Sequence, residues 1–341
     1  MKALVKFKDG KAGMELRDVP VPAPKDDELL IKVQVAGICG TDIHIMRDEY
    51  PSNRPVIMGH EYTGHVVEVG KNITGFRPGD QVISLTAIVT CGVCEYCQQG
   101  LLMLCNGRKS IGSGVNGAMA EYLVVPAHLS FRIPEEIQLG ECLALSEPLA
   151  CCVRAVNECA CVRAGDVTIV SGPGIIGQLT AQLVRLRGAF VILSGMPKDA
   201  ERLKLAVETG AADLTVSNPQ ELHTALEKHA PGGADVVFEC AGHPSSLEAC
   251  LQAVKKAGWY AQVGIFGTPV PVDMDKILTK ELHFSTSYAS EATSWNQVLK
   301  LLRQNKIRLR ELASPIFPLE EWSTAFDSAV NQTGYKVLLR P

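Results

Sequence analysis

Four cysteines, Cys91, Cys94, Cys97 and Cys105, follow one another as C-x2-C-x2-C-x7-C. Four thiolates close a tetrahedral shell around Zn²⁺ and leave no position for a substrate, so a zinc held there is structural. Upstream lie Cys39 and the pair His60-Glu61, and downstream Glu147. A Cys/His/carboxylate set keeps a coordination position for water or an alcohol, where a metal can do chemistry. The pattern therefore calls for two zinc ions per chain with different tasks. The competing reading is disulfides. It is disfavoured because the chain opens MKALVKFKDG, without the apolar stretch of a secretory signal, and because twelve cysteines in 341 residues are too sparse for a disulfide scaffold. Reduced thiols and a cytoplasmic location are expected.

A second chemical feature is Gly172-Pro173-Gly174-Ile175-Ile176-Gly177, a G-x-G-x-x-G run. Alone the run says little, but it follows the apolar segment 167–170 and opens a helical pattern, the context a dinucleotide fingerprint requires. Gly172 allows the tight turn, Gly174 lets backbone amides approach a pyrophosphate beside Ile176, and Gly177 permits close packing of helix on strand. The helix N-terminus then offers oriented N–H donors to the phosphates. About 20 residues onward an acidic residue usually receives the ribose 2′-hydroxyl of NAD. Here the strand 190–193 is followed by Ser194 and Gly195. Without a carboxylate to repel a 2′-phosphate, and with Lys198 and Arg202 nearby, the sequence favours NADP over NAD. The ordinary alternative for these two cations is solvated charge at a helix start.

The elements that must position these groups change texture along the chain. Up to about residue 150 the pattern is short strand-like runs such as 29–35 and 65–69, bounded by Gly, Pro and Asp, with a turn at 76–80 feeding a strand at 82–83. From about 165, strands at 167–170, 190–193, 214–216, 234–238 and 259–263 alternate with helices at 175–187, 200–208, 219–229 and 245–254. That alternation predicts parallel βαβ units and a doubly wound α/β domain. Near the end, Trp295, Val298, Leu299 and Leu302, then Trp322, Ala325, Phe326 and Ala329, repeat at helical spacing and read as core-facing stripes. Residues 336–339 read as a last strand returning to the first domain.

Composition bounds the partners. With 46% hydrophobic and 21% charged residues the chain can bury a sizeable core. A net charge of −4 without long runs gives no basic face for nucleic acid or an anionic membrane. No run of about 18 uninterrupted apolar residues predicts a membrane span.

The residues as a whole resemble the zinc-dependent medium-chain alcohol dehydrogenases, in their polyol (sorbitol dehydrogenase-like) branch. The resemblance is carried by Gly59-His60-Glu61-x-x-Gly64-x5-Gly70-x-x-Ile73, Gly37-Ile38-Cys39-Gly40-Thr41-Asp42, the four-cysteine run, Ser146-Glu147-Pro148-Leu149, the glycine loop and Val263-Gly264-Ile265. It implies a GroES-like β-rich catalytic domain of residues 1–150 and 285–341, with a Rossmann nucleotide-binding domain of residues 151–284 inserted. It also implies a catalytic zinc held by Cys39 and His60, with Glu61 and Glu147 as carboxylate candidates, and a proton relay through Thr41 and His44. Backbone contacts to the nicotinamide are implied for Val263, Gly264, Ile265, Ser285, Thr286 and Ser287, Ser285 replacing a glycine common there. The implied reaction moves hydride between NAD(P) and a secondary alcohol of a polyol, sugar alcohol or sugar-derived substrate. A dimer or tetramer is the implied assembly. His65, His128, His223, His229, His243 and His283 are expected to be structural or exposed, and Cys151, Cys152, Cys159, Cys161, Cys240 and Cys250 to be buried thiols. Three readings compete: an L-threonine or diol dehydrogenase of the same fold, a zinc-free quinone reductase of similar shape, and a noncatalytic nucleotide-binding sensor.

Overall fold

The computed structural model describes every residue from Met1 to Pro341. It divides into one unit of Met1–Glu147, Ser290–Asn305 and Leu309–Pro341, and a second of Pro148–Ala289 and Lys306–Arg308. In chain order, the first stretch contains β1 (Lys2–Lys6), β2 (Met14–Asp18), β3 (Glu28–Gly37), α1 (Gly40–Met46), β4 (Val56–Ile57), β5 (Glu61–Val69) and β6 (Gln81–Ser84). It continues with β7 (Ala87–Val89), α2 (Glu95–Gln98), β8 (Lys109–Ser110), β9 (Tyr122–Pro126), β10 (Ser130–Arg132) and α3 (Ser146–Val153). The second unit runs β11 (Val167–Ser171), α4 (Ile175–Leu186), β12 (Phe190–Ser194), α5 (Ala200–Glu208), β13 (Leu214–Val216) and α6 (Pro219–His229). After these come β14 (Ala234–Glu239), α7 (Pro244–Ala253), β15 (Val254–Gln262), α8 (Met274–Thr279) and β16 (His283–Thr286). The chain ends on α9 (Ala292–Arg303), β17 (Ala313–Pro318), α10 (Trp322–Val330) and β18 (Lys336–Arg340).

In the first unit β3 is the organising strand. Its residues Leu29, Leu30, Ile31, Val33, Val35 and Ala36 are buried, because β5, β9 and β18 all pair with it in a seven-stranded sheet. The last strand thus returns across some 300 residues to lie beside β3, as the sequence pattern predicts. One face packs on Met58, Tyr62, Met119, Leu123 and Phe326. Trp295, Val298 and Leu302 of α9 and Ala325 and Phe326 of α10 are buried, so both helical stripes face a core.

The second unit holds a six-stranded, wholly parallel sheet in the order β13-β12-β11-β14-β15-β16. Its central strands read as continuous apolar runs because both faces are covered. Strand order reverses between β11 and β14, so the carboxyl ends of these strands form the crevice where ligands bind in such sheets. Helix starts follow local chemistry: Asn218 caps α6 by accepting from Glu221 N–H at 2.9 Å, and Pro219 supplies a preset φ. β15 starts five residues earlier than its apolar run at 259–263, because Ala257 sits at φ 54° and a register shift absorbs the polar segment. No helix is long and apolar enough to cross a membrane.

Candidate metal centres and nucleotide site

The first centre is built where β3 ends and β5 begins. Cys39 is the extended residue before α1, and its N–H donates at 2.9 Å to Asp42 Oδ2, which fixes the thiol at the helix start. Glu61 opens β5 opposite Gly37 in register. A Cβ at Gly37 would lie 2.3 Å from Glu61 Oε2, so only glycine lets this carboxylate lie across β3. The result is that Cys39, His60 and Glu61 place their ligand atoms within 4.8 Å of one another.

Behind them stand two residues to which the sequence reading assigned no part. Asp42 is fully buried, and its Oδ1 lies 3.8 Å from His60 Nδ1 with no hydrogen-bond partner. Lys336, the first residue of β18, is 3% exposed and brings Nζ to 2.6 Å from Glu61 Oε1. Asp42 sits inside a motif the sequence shows, but Lys336 is 275 residues from Glu61 and only the β18–β3 pairing reveals it. Burial lowers the Lys336 pKa, yet the charges of Glu61, Cys39 and Glu147 outweigh it and hold the ammonium above its ordinary value. Likewise burial disfavours a charged His60, while Asp42, Cys39 and Glu147 hold its pKa well above the usual histidine value. Burial raises the Asp42 carboxyl, opposed chiefly by His60. Three carboxylates and a thiol gathered around His60 and Lys336 make a donor set suited to a divalent cation. Glu147, buried at the first turn of α3, acts on this pocket through its charge but lies outside the three-ligand cluster.

Thr41 and His44 lie one turn apart on α1, both half-buried. Glu49 Oε2 lies 2.7 Å from His44 Nδ1 and orients the ring, a partner the sequence did not announce.

The second centre gathers Cys91, Cys94, Cys97 and Cys105, with all four sulfurs within 4.8 Å of one another and no disulfide. Sulfur separations of 3.5 Å (Cys94–Cys97) and 3.9 Å (Cys91–Cys97) match the edge of about 3.8 Å that a tetrahedron with Zn–S of about 2.3 Å requires. The Val93 and Cys94 amides beside the Cys91 sulfur pull its pKa down to about 6, which favours the ligating thiolate.

The nucleotide crevice begins at Gly172, held at φ 101°, where a Cβ would meet Ala241 Cα at 2.9 Å. A Cβ on Gly177 would lie 1.8 Å from Gly172 O, whereas the space beside Gly174 is open. Helix α4 has no side-chain cap, which leaves its first N–H groups, at Ile175, Ile176 and Gly177, to a ligand. Ser194 ends β12 and accepts Gly172 N–H at 2.8 Å. Lys198 is exposed and Arg202 half-buried on α5. Asp199, the nearest acid, spends its carboxylate on the Met196 N–H at 2.9 Å. The Val263 and Gly264 amides both donate to Glu239 O at 2.9 Å, and Gly264 O accepts from Gln262 at 2.8 Å. In β16 the Ser285 hydroxyl turns back to Tyr260 O at 3.4 Å and Ser287 N–H donates to Gln262 O, while Thr286 is exposed. Of the remaining cysteines only Cys152 and Cys250 are buried. Cys151, Cys159, Cys161 and Cys240 are half-buried, Cys151 within α3 and the other three at or beyond the ends of their elements. His65, His128, His223, His243 and His283 are exposed and His229 half-buried.

Fold and centres together define a two-unit oxidoreductase of the alcohol dehydrogenase type, with a GroES-like and a Rossmann-like part. Residues 25–135 match the family described as the alcohol dehydrogenase GroES-like domain, and residues 176–304 the zinc-binding dehydrogenase family. The chain is 35% identical to a sorbitol dehydrogenase of Halalkalibacterium halodurans, over 100% of this chain and 99% of that protein. It is 36% identical to a D-arabitol-phosphate dehydrogenase of Enterococcus avium, over 99% and 97%. A solved structure described as a zinc-binding dehydrogenase from Sinorhizobium meliloti, bound to NADP, superposes with a TM-score of 0.88 at 34% identity over 100% and 99% of the two chains. The chain belongs to the zinc-dependent medium-chain alcohol dehydrogenase family, in its polyol branch.

Proposed function

We propose that the chain oxidises a secondary alcohol of a polyol, sugar alcohol or sugar-derived substrate with NADP as hydride acceptor. The observation that carries the reading is the convergence of Cys39, His60 and the buried Glu61, whose ligand atoms lie within 4.8 Å of one another. These three residues would hold the zinc, with Glu147 as a further carboxylate beside it. When bound, the zinc supplies Lewis-acid polarisation of the substrate oxygen, and the nicotinamide ring takes the hydride. The Asp42 carboxylate faces the Nδ1 side of His60 at 3.8 Å, an electrostatic partner that would leave Nε2 for the metal. Lys336 balances Glu61 and holds its carboxylate in place. The substrate proton leaves through Thr41 Oγ1 and His44, whose Nδ1 is held by Glu49 so that Nε2 exchanges the proton.

In the second unit Gly172, Gly174, Ile176 and Gly177 cradle the pyrophosphate. Ser194, Lys198 and Arg202 receive the ribose 2′-phosphate, while Val263, Ile265, Thr286 and Ser287 face the nicotinamide, with Gly264 and Ser285 shaping the backbone. The absence of a carboxylate at the end of β12 and the capping duty of Asp199 support NADP. A panel of polyols, sugar acids and amino alcohols, L-threonine included, assayed with NAD⁺ and NADP⁺ side by side tests the reading. Ser194→Asp is expected to move the NADP⁺/NAD⁺ preference about tenfold towards NAD⁺, about 1.4 kcal/mol; an unchanged ratio overturns the ribose assignment.

The reading extends to a homo-oligomer in the cytoplasm. Twelve free thiols suit a reducing compartment. The β16 edge of the six-stranded sheet, with Phe284 exposed and Leu278 71% exposed nearby, suits pairing with a second copy. Light scattering after size exclusion should report a dimer or tetramer.

A further inference from the structure

Glu239, the last residue of β14, is completely buried in the second unit. A carboxylate in that position is costly unless hydrogen bonds replace the lost water. Five N–H donors converge on this one residue. Its Oε1 accepts from Ala241 N–H and Gly242 N–H, each at 3.0 Å, and its Oε2 from Gln262 Nε2 at 2.6 Å. Its main-chain oxygen accepts from the Val263 and Gly264 amides. Gln262 is itself fixed: Tyr260 Oη–H donates to Gln262 Oε1 at 2.6 Å, which turns Nε2 towards the carboxylate and Gly264 O.

The clasp joins three turns at the point where the strand order reverses. A Cβ at Gly264 would lie 2.3 Å from Gly242 N and 2.7 Å from Glu239 Oε2, so the turns after β14 and β15 touch backbone to backbone. The turn after β14 in turn presses on the glycine loop, through Ala241 against Gly172 and through Cys240 N–H donating to Ser171 O at 2.9 Å. An acceptor-only group is required here. Glutamine would set an amide NH₂ against backbone N–H groups or against the Gln262 amide, and the resulting donor–donor clash would part the turns.

We propose that Glu239 is a positioning residue for the nicotinamide half of the cofactor, acting through the turn 263–265 and touching no ligand itself. This rests on the cofactor reading given above. The test is direct binding by calorimetry, using NADP⁺ and NAD⁺ as full dinucleotides and 2′-phospho-ADP-ribose and ADP-ribose as fragments without nicotinamide. Glu239→Gln should weaken the preferred dinucleotide about tenfold or more while changing its fragment less than about twofold, since the turn 263–265 loses its support while the glycine loop keeps the Gly172–Ser194 and Cys240–Ser171 backbone bonds. Glu239→Gln with Gln262→Glu exchanges donor and acceptor across the 2.6 Å contact and, although Gly264 O then loses its Gln262 donor, should recover part of the dinucleotide affinity lost in the single variant, which a mere packing role would not do. Should the glutamine variant fail to fold, Gln262→Met opens the same clasp from the other side and must give the same split. Equal loss of dinucleotide and fragment, no loss of either, or no recovery in the exchanged pair overturns the proposal. A parent protein that binds neither dinucleotide nor fragment overturns the cofactor reading itself, and the proposal with it.

Discussion

The two clusters of ligand atoms in the first unit are made in opposite ways. Cys91, Cys94, Cys97 and Cys105 come from 15 consecutive residues, and no basic side chain or buried acid stands among them. Cys39, His60 and Glu61 come from the end of β3, the start of α1 and the start of β5, with a buried aspartate and a lysine from the final strand behind them. A local cluster can form once its short loop closes. The dispersed one exists only when the sheet is complete, and it carries buried charges that the local one avoids. On the function proposed above, this contrast marks the dispersed cluster as the place where the protein would accept a cost in stability to keep a metal position chemically open.

The contrast breaks most sharply at the ligands themselves. Cys39→Ser with His60→Ala should reduce turnover about 10³-fold or more, because several kcal/mol of charge stabilisation leave with the metal. Zinc measured by atomic absorption should fall from about two to about one per chain, the four-thiolate site staying filled. Retained turnover, or loss of both ions, would end the division of labour.

Next in size is the lysine. In zinc-free protein Lys336→Met leaves Glu61 charged and unpaired at 1% exposure, and removing one partner of such a buried pair costs about 3–5 kcal/mol. Urea denaturation should register the loss, and adding Glu61→Gln should recover most of it. No basic side chain pairs with the thiolate cluster, so the lobe has no counterpart to this experiment.

Asp42 offers a smaller lever. Asp42→Asn removes the negative charge behind His60 and should weaken zinc at that centre about 10–100-fold in competition with a chromogenic chelator, leaving the lobe ion untouched. Equal weakening of both ions would mean that Asp42 supports the fold generally.

How far the sequence foretells this arrangement follows the same divide. The helices at 200–208 and 219–229 and the strand at 214–216 appear where their periodicity and caps place them, because each signal is contained within its own segment. The four-thiolate site is legible for the same reason. The strand at 259–263 reaches back to Val254 because its first residues, Lys255, Lys256 and Ala257, carry no alternating pattern, and pairing with β14 decides their state. Asp42 is visible as a letter in a motif but not as a buried carboxylate. Lys336 is invisible, since its role depends on β18 crossing back to β3, a pairing of strands some 300 residues apart. Glu49 and Glu239 are likewise partners whose meaning depends on what the fold sets opposite them.

The smallest effect on turnover is expected in the lobe, and it separates the two clusters most cleanly. Cys94→Ser with Cys97→Ser should empty the four-thiolate site, yet the disturbance has a built-in limit. The Leu102 and Met103 amides donate to the two carboxylate oxygens of Glu291 at 3.0 and 3.2 Å, and Glu291 is itself buried at the start of α9. Met103 is buried as well, so the base of the lobe is anchored by hydrogen bonds and packing that do not involve zinc. Unfolding should therefore stop short of residue 102. Limited proteolysis is expected to open new cuts within residues 92–100 and none beyond, while kcat/KM for the best alcohol stays within about twofold, the two-serine change lying outside the groups that touch the reacting atoms. A large fall in kcat/KM with the Cys39 centre still loaded would show that the lobe shapes the dispersed site after all, and the separation of a structural from a chemical cluster would have to be given up.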